Sequence, residues 1–137
     1  MLSNNELIEH GPYNELVRSL FKNPLHAKDI PDKLGKPYKV VAQESKNGSK
    51  IVLTAVIKEE NILALRFRAF GCPFLIAAAE FCCNQCEGKH HKEVENIDIL
   101  HLIQILEVPT EKIGVILLLQ DALESLKLAL DNNKIKK

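Results

Sequence analysis

The chain has 137 residues, 46% of them hydrophobic, with 18 basic and 18 acidic side chains that leave no formal net charge. That is enough for one domain with its own core, and there is no basic excess of the kind a nucleic-acid binder uses to neutralise phosphates. With no Trp and few other aromatics, Leu, Ile, Val and Ala must fill that core.

The first residues, Met1-Leu2-Ser3-Asn4-Asn5-Glu6, show no basic start followed by an apolar stretch. The longest nearly unbroken apolar run, 113–119, is too short to span a bilayer. A cytoplasmic, reducing location is therefore expected, without membrane or nucleic-acid partners. Residues 1–11 form at most a short frayed helix, broken by Gly11-Pro12. Tyr13, Leu16, Val17, Leu20 and Phe21 then recur at i, i+3, i+4, i+7 and i+8, the stripe of an amphipathic helix. Pro12 suits its first turn and Asn23-Pro24 stops it. Three turn signals make 25–37 a loop.

Three strands follow, at 38–44, 49–58 and 62–70. Asn47-Gly48 is a hairpin signal for a type I′ turn, whose two central residues take positive φ. The second turn falls at Glu60-Asn61. Ile51, Leu53, Ala55 and Ile57 share one face of the second strand. Leu63, Leu65, Phe67 and Ala69 share one face of the third, with Arg66 and Arg68 opposite. Antiparallel partners keep a constant index sum. A turn near residues 59 and 60 gives about 119, which sets Ser49 opposite Phe70 and Asn47 beside Cys72.

Pro73 opens a helix that runs to Cys86 and ends at Gly88. Asp98 is expected to cap a short helix carrying Leu100, Ile103 and Leu106. Thr110 is expected to cap the last helix, with Glu111 at its positive end. Ile113, Ile116, Leu119, Leu123, Leu126 and Leu130 lie at helical spacing and should pack on the sheet. Lys134, Lys136 and Lys137 belong to a solvated tail over 131–137. The fold class is α+β: one domain, 1–137, with a three-stranded antiparallel β-meander packed against helices.

The four cysteines, Cys72, Cys82, Cys83 and Cys86, crowd into fifteen residues, unlike a disulfide framework. Cys72 sits where the third strand meets the next helix. The dipole and free N–H groups of a helix N-terminus favour thiolate, which makes Cys72 a candidate metal ligand, sulfur acceptor or nucleophile. The alternative is a small buried residue closing the strand. Leu75, Ala79, Cys82 and Cys86 make one apolar helical stripe, so the cluster is expected to be core. A metal reading would enlist His90 and His91, but these lie beyond Gly88. Cys72 is ~15 Å from Cys82 along ten residues of helix, too far to share one ion. His26 and His101 are isolated and read as surface or partly packed imidazoles. No Gly-rich phosphate loop, Ser/His/Asp order or paired-carboxylate pattern stands out, and no enzymatic activity is expected.

In order and spacing these features resemble the U-type iron–sulfur cluster scaffolds, IscU and the N-terminal domain of NifU. Tyr13, Val17, Phe21 and Asn23-Pro24 resemble the family's opening Tyr-x3-Val-x3-Phe-x-Asn-Pro helix. Arg66-Phe67-Arg68-Ala69-Phe70-Gly71-Cys72 is similar to its third strand and Gly-Cys junction. Ile76-Ala77 and Gly88-Lys89 match the following helix. Val108-Pro109-Thr110-Glu111-Lys112 resembles the Leu-Pro-Pro-Val-Lys chaperone-recognition segment. Gln120-Asp121-Ala122-Leu123 resembles the Glu-Asp-Ala-Ile of the last helix. The resemblance implies a scaffold-like role in iron–sulfur cluster assembly, an iron–sulfur cluster or iron as what is bound, and a cysteine desulfurase or other assembly protein as partner. Where the family carries Cys-Gly-Asp this chain has Asn47-Gly48-Ser49, and where it carries His-Cys this chain has Gly114-Val115. Cys72 is the retained ligand position, so classical cluster binding is expected to be weak or absent. Two other readings stand beside this one: an interaction or regulatory protein that docks on a desulfurase without binding a cluster, and a single-cysteine thiol-redox protein.

Overall fold

The computed structural model describes residues 13–135, with side chains to 132. The helix expected within 1–11, and Pro12, lie outside the described residues. Helix α1 (Glu15–Lys22) starts at Asn14, whose Oδ1 accepts the Val17 N–H at 2.9 Å. Asn14 Nδ2 donates to Ile105 O and to Glu107 Oε2, fastening this helix start to a distant turn. Strands β1 (Tyr38–Gln43), β2 (Lys50–Lys58) and β3 (Asn61–Phe70) form an antiparallel sheet in the order β1-β2-β3. Helices α2 (Pro73–Cys86), α3 (Ile99–Ile105) and α4 (Ile113–Ile135) follow. The expected α+β meander is therefore the observed architecture. Among the described residues no helix is long and apolar enough to cross a membrane.

The core lies between one sheet face and the helices. Ile51, Leu53, Ala55, Leu65 and Phe67 point into it from β2 and β3. Ile116, Leu119, Leu123, Leu126 and Leu130 of α4 bury the predicted stripe, and α4 packs on β1 and β2. Helix α2, packed between α1, β3 and α4, is buried almost all round, as an apolar helix without a polar face must be. Tyr13 meets Phe74 of α2 with ring centroids 5.1 Å apart.

Five local expectations need correction. Near the second turn the index sum is 119, as predicted, but from Val56↔Ala64 onward it is 120. A β-bulge separates the two registers, and Leu63 is the additional residue in β3. The face parity flips there, so Leu63 is 43% exposed and Ile62 is fully buried. The turn itself is made by Glu59 and Glu60, both at positive φ, with Asn61 already in β3. At the first hairpin only Gly48 takes positive φ. Its ends close through Glu44 N–H to Ser49 O and Gly48 N–H to Glu44 O, a wider loop than type I′. Thr110 does not cap α4: Thr110–Lys112 form a 3₁₀ turn and α4 begins at Ile113. It extends to Ile135, into the span expected to be tail. Asp98 caps α3 as predicted, through the His101 N–H.

The outer edge of β3 is sealed by non-strand partners. Phe67 N–H donates to His26 O, Leu65 N–H to Glu87 Oε1 and Ile62 N–H to Lys89 O. The loop after α1 and the end of α2 thus satisfy donors that an edge strand would leave open.

Candidate functional site

Cys72 is the N-cap residue of α2, in extended conformation, with Pro73 in the first turn behind it. Its carbonyl accepts the Leu75 N–H, and its thiol makes no capping bond. The side chain is partly exposed. Since Lys50 pairs with Phe70, the Ser49 end of the first hairpin lies beside Gly71-Cys72, one residue from the predicted register. A Cβ at Gly71 would stand 3.3 Å from Ser49 Oγ and 2.9 Å from Leu75 Cδ2. The Ser49 end of the first hairpin and the strand-to-helix junction therefore meet. Phe70, next to this junction, is 74% exposed.

Because Leu75 is fully buried it has little room to give. Gly71→Ala is expected to cost about 1–3 kcal/mol of stability and to push the hairpin tip away from Cys72. Denaturant unfolding, with amide spectra of Asn47 and Ser49, would check both. An unchanged midpoint and unchanged spectra would show that the junction is not tightly packed.

The donors around Cys72 do not fit a resident cluster. Asn47 Oδ1 already accepts the Ser49 N–H at 2.9 Å, and Ser49 is 6% exposed. Gly114 and Val115, at the positions where the resemblance puts the family's His-Cys, offer no side-chain donor. An iron–sulfur cluster is held by about four thiolates or equivalent ligands, and one thiolate with neutral oxygens falls short. Cys82, Cys83 and Cys86 are buried in α2. Burial drives the Cys82 and Cys83 thiols well above their ordinary range. Burial, aided by the Glu93 carboxylate, pushes Cys86 up to about 11. They behave as the small hydrophobes the stripe predicts.

His26 is not the isolated imidazole expected from the sequence. It is 8% exposed, with Nδ1 at 2.6 Å from Glu80 Oε2 and Nε2 at 3.1 Å from Glu87 Oε2. Its backbone N–H donates to Glu80 Oε1 at 2.8 Å. Glu87 also accepts from the Leu65 N–H and from Arg66. Each ring nitrogen of His26 therefore faces a carboxylate oxygen. Glu80 lies in α2 and Glu87 caps its C-terminus, and this paired-carboxylate arrangement was missed. The available signal was Glu80 itself, a carboxylate amid the apolar Ala79 and Phe81, which burial obliges to find a partner. His101 stays exposed at the start of α3.

His90 and His91 lie together beyond α2, with ring centroids 4.5 Å apart. The structure brings Glu60 to them, which the sequence did not foretell. None of the α2 cysteines belongs to this group.

The family model described as "NifU-like N terminal domain" matches residues 12–136. No curated protein matches the chain. Among solved structures, a protein of Fervidobacterium islandicum AW-1, assigned to the SUF system as an iron–sulfur cluster assembly scaffold, is 20% identical. The match covers 85% of this chain and 96% of that one, with a TM-score of 0.65. The N-terminal part of a nitrogen-fixing NifU-like protein of Brucella abortus is 10% identical, over 83% of this chain and 79% of that one, with a TM-score of 0.53. At such identities the likeness to these structures is one of fold.

Proposed function

From the premise that the chain belongs to the family of NifU-like N-terminal domains, we propose that it serves iron–sulfur cluster assembly in the cytoplasm as a scaffold-type protein. Its one working thiol is Cys72, and the monomer holds no stable cluster. The carrying observation is that Cys72 is partly exposed at the meeting of hairpin tip and helix start, while the other three thiols are buried. The relatives named for iron–sulfur assembly support the pathway. The donor set limits the step. Cys72 takes one sulfur: its thiolate attacks the outer sulfur of a desulfurase persulfide, forms the Cys72 persulfide and releases the donor cysteine as thiolate. Iron or a nascent cluster is then cargo that passes on. The exposed Phe70 beside Cys72 favours a second reading, in which the protein docks on the desulfurase without accepting sulfur.

Anaerobic reconstitution with iron and sulfide, and sulfur transfer from a desulfurase, test this on wild type and Cys72→Ala. Wild type is expected to take up sulfur and the variant none, with no chelator-resistant cluster on the wild-type monomer after gel filtration. A full, stable cluster would overturn the ligand argument. Equal sulfur uptake by both proteins would make Cys72 structural, and complex formation without uptake would favour the docking reading.

A further inference from the structure

The pole of the sheet opposite Cys72 holds a second group of donors. Glu60 sits in the β2–β3 turn at φ 68, after Glu59 at φ 53. A short ladder ties this turn to the segment after α2. Gly88 N–H donates to Ile62 O and Ile62 N–H to Lys89 O, both at 2.7 Å, and His91 N–H donates to Glu60 O at 2.9 Å. Asn61 and His90 form a β-bridge. The backbone thus fixes three side chains side by side. One donor atom each from Glu60, His90 and His91 lies within 4.8 Å of the others. His90 Nε2 is 3.8 Å from Glu60 Oε2, and the two imidazoles stack at 29°. β3 spans ten residues, so this pole is ~30 Å from Cys72 at ~3.3 Å per residue.

We propose that Glu60, His90 and His91 bind a divalent transition-metal cation, Zn²⁺ or Fe²⁺. Two imidazoles and a carboxylate are the donors such cations take, with water completing the shell. A tetrahedral ion ~2.1 Å from each donor would hold the donors ~3.4 Å apart. The half-exposed side chains of Glu60 and His90 close that gap by rotation about fixed backbones. His90 must give up one bond. His90 Nδ1 now accepts the Lys92 N–H at 3.1 Å, and ligation through Nε2 moves the ring proton to Nδ1. The Lys92 amide then turns to water, which gives the site its own spectroscopic reporter. The Lys92 ammonium lies 3.5 Å from Glu95, which partly offsets its charge near the cation.

The reduced full chain would be titrated with Co²⁺. One saturable equivalent with visible d–d absorption and no thiolate-to-cobalt charge-transfer band is expected, together with a shift of the Lys92 amide resonance. His90→Ala and Glu60→Gln, each confirmed folded by amide spectra, are expected to weaken binding about tenfold or more. Cys72→Ser is expected to leave it unchanged. Displacement of Co²⁺ by Zn²⁺ or by anaerobic Fe²⁺ then tells which ion the site prefers. No saturable binding by the wild type would overturn the proposal. So would binding that carries the thiolate band, disappears in Cys72→Ser or survives both His90→Ala and Glu60→Gln. Because the site does not involve Cys72, failure here and failure of the sulfur-acceptor reading are separable.

Discussion

Replacement of Glu80 by alanine is expected to lower the unfolding free energy by about 3–5 kcal/mol, the cost of breaking a buried ionic group by removing one partner. Glu80 is 4% exposed and accepts two bonds from one residue, the backbone N–H and the ring of His26. Without it a largely buried N–H and imidazole lose their acceptor. The loop that His26 anchors also donates its carbonyl to β3 through Phe67 N–H, so the damage should spread to the sheet edge. Glu80→Gln keeps an acceptor for the backbone N–H and should lose less. Chemical denaturation of both variants, with hydrogen exchange at Phe67, would measure this. A loss under about 1 kcal/mol, the usual value for a solvated ion pair, would show that the cluster is open to water.

Thiol chemistry should divide the cysteines one to three. In the native reduced protein at pH 8, an alkylating reagent is expected to modify Cys72 and spare Cys82, Cys83 and Cys86. At that pH a thiol whose pKa is raised to about 11, as for Cys86, is roughly one part in a thousand thiolate. Burial of the sulfur slows it further. Cys82 and Cys83 are held above their ordinary range by stronger desolvation. Mass spectrometry should find one label before unfolding and four after it. A second fast-reacting thiol would place part of α2 in contact with solvent and reopen the choice of sulfur acceptor.

Periodicity carried the fold a long way. The alternation in β2, the helical stripe of α4 and the Pro73 start of α2 each follow from local spacing that survives in three dimensions. The position of Cys72 follows in the same way, because a strand ending at Phe70 and a helix starting at Pro73 leave little room between them. The bulge at Leu63 was not readable, because Ile62-Leu63-Ala64-Leu65 is apolar throughout and alternation cannot mark an added residue there. Thr110 has capping chemistry, but the chain after Pro109 takes a 3₁₀ turn before the α-helix begins. His26 and Glu80 are 54 positions apart, and Glu60 is 30 from His90. No local pattern announces pairs made by the closing of a meander.

The sealed margin of β3 bears on how copies of this protein can meet. A sheet that polymerises needs two open margins, one to give and one to receive. Among the described residues, β1 has a strand neighbour on one side only, while three donors along β3 are already spent on His26, Glu87 and Lys89. Growth by strand addition would therefore have to run β1 to β1 about a two-fold axis. Such a union closes on itself after two chains and cannot extend into a fibre.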